Sequence, residues 1–159
     1  METRDRSAVR ALLLTPDQEL LLMKIEFPRR GYAWITPGGG LEQDEAPTDG
    51  LRRELREETG LKATSIGPEV WRREHTFLIE DVQIRQSERY FLVPTPRFDP
   101  RTDGMPEGEV ETIWFRGYRW WGLEELLQTD ELLVPLALGT HLKNLVEEGI
   151  PSRPVEVGI

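Results

Sequence analysis

Glu54, Glu57 and Glu58 stand at i, i+3 and i+4, and on a helix those positions share one face. No other feature limits the chain so tightly. The three glutamates end a run that begins with Gly38-Gly39-Gly40, passes Glu45 and Pro47, and stops at Gly60-Leu61. Three like charges on one face repel and weaken an isolated helix. The arrangement makes sense where something positive sits against it. Clustered carboxylate oxygens without His or Cys are the ligand set of a hard cation, Mg²⁺ or Mn²⁺. A glutamate pair on a helix is ordinarily a solvated face, so the argument rests on the whole run.

The run predicts its own local structure. A helix should start near Pro47, whose missing N–H costs nothing in a first turn. Asp49 favours the helix dipole there. Ala46 is a poor N-cap, and Gly50 costs about 1 kcal/mol relative to Ala, so tertiary packing must hold the start. Leu51 and Leu55 form the stripe to be buried, and Gly60 suits the C-terminal cap. Arg53 can reach Glu57 one turn on.

This stretch resembles the Nudix box, the signature of the Nudix hydrolases. The pattern is Gly, five residues, Glu, seven residues, Arg-Glu, an aliphatic residue, any residue, Glu-Glu, any residue, Gly, an aliphatic residue. Gly39, Glu45, Arg53, Glu54, Leu55, Glu57, Glu58, Gly60 and Leu61 fill those places at the correct spacing. The resemblance implies Glu57 and Glu58 as the main metal ligands, with Glu54 as a further ligand or as the base that orients water. It implies that a backbone carbonyl of the glycine turn, assigned to Gly38, also faces the metal. Arg53 would orient a catalytic carboxylate, and Gly39, Glu45 and Gly60 would support the box. In MutT-type members a further carboxylate completes the site, for which Glu109 and Glu111 are the candidates.

The rest of the chain is read as strands and two further helices. Residues 7–15 and 19–25 form a hairpin about the turn Pro16-Asp17-Gln18. Residues 33–36 form a short strand that Pro37 and the glycines stop. A second hairpin joins a strand ending at Ile79 to residues 84–94. Residues 95–110, with three prolines, form a long loop. A strand over 112–121 leads into a short helix from Gly122, and residues 132–148 form the last helix, with Leu132, Leu133, Leu136, Leu138, Leu142 and Leu145 as its apolar face. This order fits a mixed sheet covered by helices on both sides, which is the α/β/α sandwich the resemblance implies. The chain of 159 residues suits one domain, with a core over about 6–148 and an extended tail over 149–159.

Several residues outside the box are candidates for substrate contact. Arg72 and Arg73 present guanidinium groups, which suit phosphate; Arg85 and Arg89 lie across the same hairpin. Trp34 could stack on a nucleobase, although a single Trp is more often core. His75 reads as structural.

Net charge and composition exclude other classes. A formal charge of −9 argues against a protein that coats a nucleic-acid polymer. It leaves a nucleotide substrate open, because a metal can mediate that contact. The absence of cysteine excludes disulfides, zinc–thiolate sites and thiol catalysis, including the cysteine-dependent isoprenyl diphosphate isomerases of related fold. No run approaches the roughly 18 apolar residues of a membrane span, and no targeting signal stands out. A soluble cytoplasmic protein is the expectation, with homodimer formation as a candidate association.

The activity implied is Mg²⁺-dependent hydrolysis of a nucleoside diphosphate linked to a group X, giving NMP and P-X, with Mn²⁺ as the alternative metal. Nucleoside triphosphates are the first choice of substrate. The family landmarks of the ADP-ribose, diadenosine polyphosphate and coenzyme A types do not appear at their places. The alternative is a Nudix-fold nucleotide-binding or regulatory module without turnover, against which the intact acidic triad argues.

Overall fold

The structure is a computed structural model that describes residues 2–27, 29–63, 65–102 and 114–159. Its strands are β1 (Thr3–Leu14), β2 (Glu19–Phe27), β3 (Gly31–Ile35), β4 (Gly38–Gly40), β5 (Glu69–Ile79), β6 (Val82–Pro94), β7 (Phe115–Gly122), β8 (Leu133–Val134) and β9 (Val155–Glu156). Its helices are α1 (Pro47–Thr59), α2 (Leu123–Gln128) and α3 (Leu138–Glu148). The strands join in one mixed sheet in the order β8-β3-β2-β1-β6-β5-β9, with β4 paired to β1 and β7 to β2.

β1 runs parallel to β6 along its whole length, from Thr3 opposite Gln83 to Leu14 opposite Pro94. This pairing buries the middle of β1 on both faces, which is why Ala11-Leu12-Leu13 reads as a continuous apolar run. The expected first hairpin is joined near its turn, where Leu14 stands opposite Leu20. Further along, β4 takes that edge of β1, with Gly38 opposite Arg10 and Gly40 opposite Ala8. The second hairpin forms as expected, β5 against β6.

Two cores lie on opposite faces of the sheet. Val9, Ala11, Leu13, Leu21, Phe91 and Val93 pack with Leu51 and Leu55 of α1. Leu12, Leu20, Leu22, Trp34, Trp71 and Trp121 pack with Leu126 of α2 and Leu138, Leu142 and Leu145 of α3. The architecture is therefore α/β, a mixed sheet between helices.

The last helix is shorter than the apolar spacing suggests. It starts at Leu138, not at residue 132. Pro135 removes an N–H from the run and restricts the residue before it to extended backbone, so Leu133 and Val134 form β8 beside β3 instead. Leu133 is buried, whereas Leu132 and Leu136 are exposed. Part of the tail is also strand, since β9 pairs with Trp71 and Arg72 of β5. Among the described residues no helix is long and apolar enough to cross a membrane.

Candidate active site

The helix that carries the carboxylates is weak in itself. Its N-cap, Ala46, makes no side-chain capping bond, which forgoes about 1 kcal/mol, and Gly50 costs about as much again. Leu51 and Leu55, both with no exposed area, contribute about 1.5–3 kcal/mol each through burial. Packing on the sheet thus outweighs the local deficit. Gly50 also has a geometric reason to be there. A Cβ at that position would lie 2.3 Å from Leu41 Cδ2 and 2.9 Å from Glu45 Oε1. The missing side chain lets residues 41–45 fold against the helix, and that brings Glu45 to Arg53. The helix ends on Gly60 in the left-handed conformation, with its N–H bonded to the Arg56 carbonyl.

Arg53 is the centre of the acidic face. Its Nε and Nη2 donate to the two carboxylate oxygens of Glu45, each at 2.9 Å. Its Nη1 donates to Glu54 Oε1 at 2.9 Å and to Glu57 Oε2 at 3.4 Å. Its Nη2 also reaches the Gly40 carbonyl at 3.1 Å. The hydrogen bond from Arg53 is the largest influence on Glu45 and holds its carboxyl down to about 2. The same bond raises the Arg53 pKa against the cost of burial. One guanidinium nitrogen therefore sits between Glu54 and Glu57, where the sequence predicted only an Arg53–Glu57 contact.

The glycine turn closes over this face. Glu58, 4% exposed, accepts the Gly38 N–H at 2.9 Å, and the Tyr118 hydroxyl donates to the Glu58 carbonyl. A Cβ on Gly39 would lie 2.7 Å from the Glu54 carboxyl carbon. A Cβ on Gly38, whose φ is +145°, would lie 2.0 Å from the Val9 carbonyl oxygen. Only glycine permits that approach.

The donor chemistry fits a hard divalent cation: carboxylate oxygens of Glu54, Glu57 and Glu58 on one helix face, against a glycine turn that packs directly on Glu54 because Gly39 has no side chain. Among the described residues no three acids or histidines already stand together as a cation cage. In the structure it is the Arg53 guanidinium that bridges Glu54 and Glu57.

A second network lies on the α3 face of the sheet, around Glu88 of β6. Its Oε2 accepts from Arg10 Nε at 2.9 Å and from Gln86 Nε2 at 3.1 Å. Its Oε1 accepts from Arg73 Nη1 at 2.6 Å and from the Tyr90 hydroxyl at 3.3 Å. Burial pushes the Glu88 carboxyl up, but Arg10 and Arg73 outweigh it and hold it at about 2. His75 is held below its usual range by burial and by Arg73, against the pull of Glu88. Arg10 also donates from Nη1 to the carbonyls of Thr36 at 3.2 Å and Gly38 at 3.3 Å.

The structure gathers Glu45, Arg53, Glu54, Glu57, Glu58 and the glycine turn, and distributes the other sequence candidates elsewhere. Arg73 is 7% exposed and paired with Glu88. Arg72 is bonded to Glu69, which also holds Arg89. Arg72 and Arg73 line a cleft of about 400 Å³ with Glu74, Ser87 and Glu156. Trp34 lies in the core, its ring edge-on to Trp121 and its Nε1 bonded to Glu131. Glu109 and Glu111 lie outside the described residues.

Sequence reasoning missed Arg10, Glu88 and Arg6. Arg10 carried a readable signal, a charge inside the apolar run Ala8 to Leu14. Glu88, between two arginines in a strand, carried a weaker one. Arg6 is exposed, and its Nη2 lies 2.7 Å from where a Cβ on Gly40 would stand, a placement that only the β1–β4 pairing creates.

Comparison with known proteins bears on the family and the fold. The NUDIX domain family matches residues 4–137. Diphosphoinositol polyphosphate phosphohydrolase 3-alpha of Mus musculus is 44% identical over 137 residues, covering 86% of this chain and 74% of the relative. The uncharacterised Nudix hydrolase YvcI of Bacillus subtilis is 44% identical over 70 residues, covering 44% of this chain and 40% of the relative. The crystal structure of a MutT protein from Methanosarcina mazei superposes with a TM-score of 0.67 at 21% identity, covering 93% of this chain and 97% of that one, a likeness of fold. With a complete box folded around Arg53 and a family match over most of its length, the chain belongs to the Nudix hydrolase family.

Proposed function

We propose that the chain is a Mg²⁺-dependent pyrophosphohydrolase that cleaves a nucleoside diphosphate linked to X into NMP and P-X, with nucleoside triphosphates as the first class to test. The observation that carries this reading is the bridging of Glu54 and Glu57 by one guanidinium nitrogen. It puts both carboxylates within reach of one positive group, on the face where Glu58 meets the glycine turn.

In this reading Glu57, Glu58 and the Gly38 carbonyl hold the ion, and Glu54 is a further ligand or the base that orients water. A divalent ion bound there would neutralise phosphate charge and lower the pKa of a bound water. Arg53 fixes the direction of the Glu54 and Glu57 carboxylates, and Glu45 anchors Arg53 from behind. Arg6, exposed beside Gly40, is placed to meet a phosphate oxygen. Arg72, Arg73 and Trp34 are weaker candidates for substrate contact, since the first two are paired and the third is in the core. A cytoplasmic location and a homodimer belong to the same reading, and so does one domain over residues 1–159.

The test is a hydrolysis panel with Mg²⁺, with Mn²⁺ and with chelator. It contains nucleoside triphosphates, oxidised guanine nucleotides, nucleotide sugars, ADP-ribose, dinucleoside polyphosphates and coenzyme A. Diphosphoinositol polyphosphates join it because of the mouse relative's name. Metal-dependent release of a phosphorylated product, lost in Glu57→Gln, supports the reading. Tight nucleotide binding with no turnover on any substrate supports a binding module instead.

A further inference from the structure

The glycine turn is held from two sides, and the side away from the carboxylates depends on one residue of β1. Three successive carbonyls of the turn are fixed by that strand. Arg10 Nη1 donates to Thr36 O at 3.2 Å and to Gly38 O at 3.3 Å. Between them, the backbone N–H of Ala11 donates to Pro37 O at 2.9 Å. The opposite end of the same Gly38 residue, its N–H, is held by Glu58 at 2.9 Å. The Gly38 carbonyl thus has little freedom to turn.

Arg10 is itself fixed. Its side chain is 11% exposed, and its Nε is bonded to Glu88 Oε2. Glu88 is anchored through its other oxygen by Arg73, at 2.6 Å. The fork geometry of a guanidinium allows one nitrogen to hold the carboxylate while another spans two carbonyls. A lysine ammonium keeps the charge but is a point donor without that fork.

We infer that Arg10 is a positioning residue for the metal site: its simultaneous hold on Glu88, Thr36 and Gly38 fixes the glycine turn, whose Gly38 N–H in turn orients the Glu58 carboxylate. The inference rests on the metal-site reading proposed above. It assigns Glu88 a role as the anchor of Arg10, and it makes the Glu88 network part of how the box is built.

The test measures Mn²⁺ binding to the purified protein from the electron paramagnetic resonance signal of free Mn²⁺, without substrate. Arg10→Lys preserves the positive charge near the site and removes only the fork. Its Kd for Mn²⁺ is expected to rise about tenfold, the usual cost of losing an outer partner that orients a ligand. Arg73→Lys is the comparison, because Arg73 holds the same Glu88 and touches none of the three turn carbonyls. A merely structural role predicts equal losses of Mn²⁺ affinity in the two variants; positioning predicts a clearly larger loss in Arg10→Lys.

Wild-type affinity in a folded Arg10→Lys, or equal losses in the two variants, would overturn the inference. Should Arg10→Lys fail to fold, Glu88→Gln decides by the same measurement: weaker Mn²⁺ binding supports the role, and unchanged binding overturns it. A wild-type protein whose Mn²⁺ binding is unaffected by Glu57→Gln would overturn the metal-site reading and this inference together. Loss of binding in Glu57→Gln with unchanged binding in Arg10→Lys overturns the inference alone.

Discussion

Two ion-pair networks, one centred on Arg53 and one on Glu88, meet at Gly38, and they are balanced in opposite senses. On the helix side a single guanidinium, Arg53, serves Glu45, Glu54 and Glu57, with Glu58 beside them on the helix and bonded to the turn. On the sheet side a single carboxylate, Glu88, is shared by Arg10 and Arg73. In the first network three carboxylates converge on one guanidinium, and the proposed cation site rests on that arrangement. The second has its one acid fully engaged, accepting from Arg10, Gln86, Arg73 and Tyr90. The two networks thus differ in which charge is shared: several acids on one arginine on the helix side, two arginines on one acid on the sheet side.

That comparison can be broken most severely at Glu57. Glu57→Gln keeps the side-chain volume and removes a charge from the acidic side. The expected loss in metal-dependent kcat/KM is on the order of 10²–10⁴-fold, with the fold retained by circular dichroism. A variant with near-normal turnover would mean that the acidic face is not the reacting one.

At Glu88 the effect should appear in stability. Glu88→Ala leaves Arg10 and Arg73 buried without their shared acid, and breaking a buried pair in this way costs about 3–5 kcal/mol. Urea unfolding measures it. A loss below about 1 kcal/mol would show that solvent already screens the network, and the contrast with the helix side would fall.

A third effect depends on pH. Glu45 and Glu88 both have folded pKa values of about 2, below the ordinary 4.5. Between those limits the unfolded chain binds more protons than the folded one, so acidification favours unfolding. Stability from both groups is present above about pH 4.5 and is lost as pH falls toward about 2. Arg53→Met removes the main cause at Glu45 and leaves Glu88 untouched. Its stability should fall less steeply across that window than the wild type's, by urea titration at a series of pH values. An unchanged slope would mean that Glu45 takes no part.

The smallest effect is at the entry to α1. Ala46→Ser supplies the missing cap and should raise stability by about 1 kcal/mol, read as a higher urea midpoint. No gain would show that the packing of Leu51 and Leu55 leaves no slack at the helix start.

Much of the helix side was legible along the chain. Pro47, the stripe of Leu51 and Leu55, and the Gly60 cap mark the helix, and the spacing of Glu54, Glu57 and Glu58 places them together, because i, i+3 and i+4 lie within one turn. The sheet side was not legible, because Arg10, Arg73 and Glu88 come from three strands whose register is settled by pairing. The predicted apolar face over 132–148 was wrong at its start, where Pro135 overrides the leucine spacing.

The sequence alone thus determined that Glu54, Glu57 and Glu58 share one helix face with Arg53 within reach, because those spacings are short-range, and its match to the Nudix box pointed to the family. The tertiary structure decided how the glycine turn is held, which arginines are paired with acids, and that Trp34 belongs to the core. Those outcomes depend on contacts between residues far apart in the chain, such as Arg10 with Glu88 and Gly38 with Glu58. Only the folded register brings such partners within hydrogen-bonding distance.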